Sequence, residues 1–133
     1  MIEVKVNAES LTLVVPVFNE EGALENFLPE LTEYCVRNDF CLVFVDDGSG
    51  DGSVALLESF CDGGQVRLLR HKVNRGYGAA IKTGIAASNT DFVVTLDADG
   101  QHRPEDVGRL FECAIRNNAD MVVGRRQSGH SGI

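Results

Sequence analysis

A chain of 133 residues, 44% hydrophobic and 24% charged, suffices for one domain with a single core and is too apolar to remain disordered. Twenty acidic against twelve basic residues give a formal charge of -8 and a pI near 4.7. With no basic cluster longer than Arg125-Arg126, this excludes nucleic acid as the main partner, because affinity there comes from neutralising phosphates.

The amino terminus "MIEVKVNAES" lacks the charged start and apolar core of a signal peptide, and no apolar run approaches the ~20 residues of a membrane-spanning helix. Cys35, Cys41, Cys61 and Cys113 are scattered without a C-x-x-C pair and adjoin apolar stretches, so they read as reduced thiols of a cytoplasmic protein.

In chain order, "LTLVVPV" (11–17) opens the pattern as a short, β-branched strand. Leu24, Phe27, Leu28, Leu31 and Tyr34/Cys35 then repeat at helical spacing, predicting an amphipathic helix over 22–38 that Pro29 should bend or divide. "FCLVFVD" (40–46) is a second strand, and Val54, Leu57 and Phe60/Cys61 mark a second helix. "VRLLRH" (66–71) is a third strand, followed by a helix around Ile81 and Ile85. "FVVTLD" (92–97) is a fourth, and Val107, Leu110, Phe111 and Ala114 mark a helix opened by Pro104. "MVVG" (121–124) reads as a fifth strand, and the Gly- and Ser-rich "SGHSGI" has the look of a cut rather than a natural terminus.

Strands alternating with helices predict an α/β fold, a mostly parallel sheet covered by helices on both faces. In such sheets ligands bind beyond the carboxyl ends of the strands. The loops on that edge are "FNEEG", "DDGSGDGS", "KVNRGYG", "DADGQH" and "RRQSGHSG", so every chemically interesting cluster falls on one side of the sheet.

From Asp47, "DDGSGDGS" has calcium-loop spacing through Glu58, but an EF-hand needs a helix before the loop and here a strand precedes it. Ser49, Asp51 and Ser53 then serve turns and helix capping, which leaves Asp46 and Asp47 for a ligand. "NRGYGAAI" imitates a dinucleotide fingerprint but carries Ile81 at the third small position; Gly76 and Gly78 either let a ligand approach the backbone or simply turn the chain. "DADGQH" is the strongest signal. Asp97 and Asp99 at the end of an apolar strand repel each other unless a cation lies between them, and hard oxygen ligands suit Mg²⁺ or Mn²⁺. Gln101 could add a neutral oxygen, and His102 could be a ligand, a phosphate donor or a plain loop residue. Phosphatases of the haloacid dehalogenase type also use D-x-D-G, but on an early strand and with Thr or Val where this chain has Gln101.

"VVPVFNEE", "VDDGSGDGS", "NRGYGAA", "LDADGQHRPED" and "VVGRR", in this order from about Leu11 to Arg126, resemble the nucleotide-binding half of family 2 glycosyltransferases with the GT-A fold. "DADGQHRPED" is most similar to the branch that loads sugars onto polyprenyl or dolichyl phosphate. The resemblance implies a Rossmann-like donor domain over residues 1–133, truncated at its carboxyl end. It places Pro16, Phe18 and Glu20 against the base and ribose of a UDP- or GDP-sugar, and gives one of Asp46 and Asp47 a hydrogen bond from the base. Asn74, Gly76 and Gly78 would lie beside the ribose and diphosphate, and Arg126 would help neutralise phosphate. Asp97 and Asp99 match the DxD metal ligands, with Gln101 as the extra ligand of the lipid-phosphate branch. The implied reaction is inverting transfer, with a lipid phosphate at a membrane surface as the acceptor; the chain offers no residue as catalytic base, and weak or absent transferase activity is expected of it alone. A nucleotide-binding module without catalysis is the alternative. An unfinished sheet edge favours self-association, so a homo-oligomer is expected.

Overall fold

The structure is a computed structural model that describes residues 11–99 and 103–116. Four strands, β1 (Leu11–Val17), β2 (Cys41–Asp46), β3 (Val66–Arg70) and β4 (Phe92–Thr95), form one sheet in the order β3-β2-β1-β4. All three pairings are parallel. The connecting helices are α1 (Glu21–Arg37), α2 (Ser53–Phe60) and α3 (Tyr77–Ala86), with α4 (Pro104–Arg116) following β4. The predicted α/β class and the elements up to α4 are present; the predicted strand over 121–124 lies outside the described residues.

Side-chain alternation assigns the faces. Leu11, Leu13, Val15 and Val17 of β1 join Leu42 and Phe44 of β2 in one core with Leu24, Leu28 and Leu31 of α1 and Leu57 of α2. Val14, Val43 and Val45 point the other way and are covered by Ala80 and Ile81 of α3. Burial on both faces explains why β1 and β2 read as continuous apolar runs. Thr12, 1% exposed within that run, is satisfied by a 2.7 Å hydrogen bond with the Thr90 hydroxyl. The α4 helix docks through Phe111, which meets Phe40 and Phe92 edge-on at 6.1 and 5.2 Å between ring centroids.

Pro29 does not divide α1, which runs unbroken from Glu21 to Arg37. The ring is on the exposed side, so the carbonyl one turn back that loses its N–H partner can turn to water. None of the four cysteines is in a disulfide; only Cys35 is fully buried, and burial pushes its thiol up to about 12. Among the described residues no helix is long and apolar enough to cross a membrane.

The α3 helix approaches the sheet closely because Gly84 sits over Val14. A Cβ at position 84 would lie 3.1 Å from Val14 Cγ2 and 3.2 Å from its Cβ, with Cγ1 nearer still. Gly84→Ala is therefore expected to destabilise the fold by about 1–2 kcal/mol despite alanine's better helix propensity. In a double-mutant cycle, Val14→Ala should recover part of that loss; strict additivity in urea denaturation would show that the two residues do not press on each other.

Candidate functional site

The loop after β1 carries Phe18, Asn19 and Glu20 into α1. Pro16 can occupy a central strand because the ladder toward β4 ends with the Leu96 N–H donating to the Val14 carbonyl. In a parallel strand the N–H two residues on points to the same side, and there β4 has already ended, at Thr95. Phe18 remains 46% exposed, a large apolar surface at the mouth of the strand edge.

Five hydrogen bonds stitch this loop to the one after β2. The Asn19 N–H donates to Ser49 Oγ at 2.9 Å and the Gly50 N–H to Asn19 Oδ1 at 2.8 Å. The Glu20 N–H donates to Ser53 Oγ at 3.0 Å. The Glu21 N–H reaches Asp51 Oδ2 at 3.3 Å, and the Gly52 N–H donates back to Glu21 Oε1 at 2.9 Å. Asp51 also accepts from the Ser53 N–H at 2.9 Å, so it serves the first turns of α1 and α2 together. Hydrogen bonding from Ser53, outweighing partial desolvation, holds its carboxyl below the usual range.

The two adjacent aspartates part company. Asp46, 1% exposed, spends both oxygens on Ser49: Oδ2 accepts from the Ser49 N–H at 3.0 Å and Oδ1 from its hydroxyl at 2.6 Å. Asp47 turns the other way, toward the loop between β3 and α3. Its Oδ1 accepts from the Arg75 N–H at 2.9 Å and pairs with His71 Nδ1 at 2.8 Å, while Oδ2 accepts from the Gly76 N–H at 2.9 Å. Burial by itself would raise the Asp47 carboxyl, but the donors from Arg75, His71 and Gly76 outweigh it and hold the group below its ordinary value. Asp47 and Asp51 thus face different loops, which removes the geometry that the calcium-loop spacing suggested.

Gly76 is required by the backbone. Its φ of 103° lies where L-residues rarely go, and it begins α3 while giving its N–H to Asp47. Gly78 falls inside the first turn of α3, exposed, with nothing within 4 Å of an added Cβ. The two glycines that the sequence offered together have separate roles: one turns the chain and the other leaves open space on the helix.

Beyond β4, Asp97 and Asp99 are half-buried. The exposed Tyr77 hydroxyl donates to Asp97 Oδ1 at 3.0 Å. Desolvation first, then the Asp97 hydrogen bond and the charges of Asp97 and Asp99, raise the Tyr77 phenol. Among the described residues no group of three or more His, Cys, Asp or Glu side chains gathers at metal-binding distance. The pair itself fits a small hard cation in its donor chemistry: two carboxylates, leaving the other positions to water and ligand oxygens. Gln101, His102 and Arg126 lie outside the described residues.

Pro16, Phe18 and Glu20, with Asp47, Asn74, Gly76 and Asp97, line one open cavity of about 530 Å³. They come from the tips of all four strands. Asp46 lines a different hollow of about 420 Å³ with Arg70, His71 and Lys72, and neither Gly78 nor Asp99 is part of the first cavity's wall. Tyr77, Ala80 and Ala98 also line it and had not been singled out. Tyr77 had a signal, being the one aromatic between the two glycines of "RGYG".

The sequence profile described as Glycosyl transferase family 2 matches residues 12–132. This chain belongs to glycosyl transferase family 2. Membership takes away the ground for the D-x-D-G phosphatase alternative. Within the family, the chain is 37% identical over 110 residues to an undecaprenyl-phosphate 4-deoxy-4-formamido-L-arabinose transferase of Aeromonas hydrophila, covering 80% of this chain and 34% of that protein. It is 35% identical to an uncharacterised protein of Methanocaldococcus jannaschii, covering 92% and 49% respectively. The chain thus spans about a third to a half of the length of these relatives. The fold is that of S. aureus TarS 1-349 in complex with UDP-GlcNAc (TM-score 0.76, 19% identity, 93% of this chain and 36% of that one). It is shared with the Pyrobaculum calidifontis mannosyltransferase PcManGT in complex with GDP-Man and Mn²⁺ (TM-score 0.69, 22% identity, 83% and 33%). The Rossmann-like GT-A arrangement expected from the sequence is the one observed.

Proposed function

We propose that the cavity holds a nucleoside-diphosphate sugar, UDP- or GDP-linked, and that this chain is the donor-binding part of an inverting sugar transferase acting on a polyprenyl phosphate at a membrane surface. The observation that carries the reading is the convergence of Pro16, Phe18, Glu20, Asp47, Asn74, Gly76 and Asp97 on one cavity at the carboxyl edge of a parallel sheet. Phe18 offers an apolar face for the base, and Asp47 an acceptor for a base N–H. The first turn of α3 carries no acidic residue and opens onto the cavity through Gly76 and Tyr77, so its free N–H groups favour the diphosphate.

Asp97 and Asp99, with Gln101, would hold Mg²⁺ or Mn²⁺. A divalent cation there would offset charge on the diphosphate and improve it as a leaving group. Tyr77, hydrogen-bonded to Asp97, orients that carboxylate. An acceptor phosphate is already ionised and attacks the anomeric carbon without a general base, which agrees with the lipid-phosphate acceptor named for the Aeromonas relative.

Calorimetric titration of UDP and GDP, with Mn²⁺ and then with chelator, tests the reading. Binding of one diphosphate is expected, weakened at least about tenfold by chelation or by Asp97→Ala/Asp99→Ala, the size of one lost charge-assisted contact. A folded protein that binds neither nucleotide would refute the donor-site reading.

A further inference from the structure

His71 is not among the residues that line the proposed donor cavity, yet it is buried behind it, 8% exposed, with both ring nitrogens engaged. Nδ1 lies 2.8 Å from Asp47 Oδ1, and Nε2 lies 2.8 Å from Thr83 Oγ1. An ionised carboxylate can only accept, so Nδ1 carries the proton and donates to Asp47. The Thr83 hydroxyl, able to donate or accept, completes the other nitrogen in either protonation state. The backbone fixes the ring as well: the His71 N–H donates to the Asp46 carbonyl at 2.8 Å, continuing the β2–β3 ladder.

An ionised carboxylate has about four lone-pair sites. On Asp47, His71 and the Arg75 N–H occupy Oδ1, and the Gly76 N–H takes one site of Oδ2. Among the described residues, the remaining acceptor position is on Oδ2. Without His71, the carboxylate could rotate and offer either oxygen, and it would lose the donor that anchors it to α3 through Thr83. A rigidly oriented acceptor binds a donor group more tightly than a mobile one, because less freedom is lost on binding.

We propose that His71, braced by Thr83, is a positioning residue for nucleotide recognition, locking Asp47 so that Oδ2 alone faces the ligand. The proposal rests on the donor-site reading above. It is tested on the full chain with UDP and GDP as probes in the presence of Mn²⁺, comparing His71→Leu, His71→Asn and Thr83→Val at a temperature where thermal melting shows each to be folded. Asparagine keeps an N–H near the place of Nδ1, whereas leucine removes it.

Affinity should fall about tenfold in His71→Leu, the worth of one hydrogen bond to a charged group, and about threefold in Thr83→Val. His71→Asn should stay within about threefold of the unaltered chain, a rescue that a packing role would not produce. If His71→Leu does not fold, the Thr83→Val and His71→Asn affinities decide. Unchanged affinity in Thr83→Val and His71→Leu, or an asparagine variant no better than leucine, would overturn the proposal and leave the donor site standing. If the unaltered chain binds neither nucleotide, both fall.

Discussion

Asp47→Ala is expected to destabilise the protein by about 3–5 kcal/mol, because it strands two backbone N–H groups and a buried imidazole that now share one carboxylate. The donors at stake come from Arg75, Gly76 and His71, at 2.9, 2.9 and 2.8 Å. The loop from Asn74 to Tyr77 would lose its anchor to β2, and with it the start of α3. The same carboxylate makes stability depend on pH with a definite sign. Its folded-state pKa lies below the unfolded value, so its contribution is complete above the unfolded carboxylate pKa of about 3.9 and is lost as pH falls through the folded value. Urea denaturation of the two proteins should therefore differ most at neutral pH, and the gap should narrow in acid below about pH 4. A variant within about 0.5 kcal/mol of the unaltered chain at pH 7 would show that Asp47 does not hold this corner together.

Gly48→Val should be as damaging, at about 3 kcal/mol or more, for two independent reasons. The residue has a φ of 80°, where a β-branched side chain is strongly disfavoured. A Cβ there would also stand 2.7 Å from the Asn74 nitrogen and 2.8 Å from the Val73 carbonyl carbon. These are backbone atoms and cannot swing aside as a flexible side chain would, so the β3–α3 loop must retreat from the β2 tip. Gly48→Ala isolates most of the second effect with less of the first. Gly52 gives the contrast: the nearest atoms to its added Cβ are at the flexible end of Glu21, with Oε2 at 2.6 Å. Gly52→Ala should therefore melt much closer to the unaltered chain than Gly48→Ala. Equal melting temperatures for the two would mean that the closeness at Gly48 is not a real constraint.

What the letters disclosed follows from the range of the interactions involved. The β1 and β2 strands and the α1 and α2 helices were legible because their signal is local: β-branched runs for the sheet, and Leu24, Phe27, Leu28 and Leu31 at helical spacing. The predicted helix around Ile81 begins at Tyr77, earlier than its apolar pattern, because Gly76 and its bond to Asp47 set the start. The predicted strand over 92–97 stops at Thr95, although the Leu96 N–H still reaches β1. Strand tips could be sorted by the rule for parallel sheets, which gathered the candidate residues on one edge. The sorting could not tell Asp46 from Asp47, since the difference lies in Ser49 close by and in His71, Arg75 and Gly76 across the sheet. Nor could it bring out His71, a polar residue directly following an apolar strand, whose partners Asp47 and Thr83 are on different elements.

The central place of β1 has a consequence for how the chain is made. It is the first described strand to leave the ribosome, yet one of its flanks is filled by β2 and the other by β4, the last described strand. At about 5–20 residues per second, several seconds of synthesis separate β1 from Phe92–Thr95. Throughout that interval a segment that ends fully buried has one hydrogen-bonding edge without its native neighbour. The nascent chain is then most vulnerable to mispairing with another copy, and slowing translation between α1 and β4 should lower the soluble yield more than an equal pause after α4.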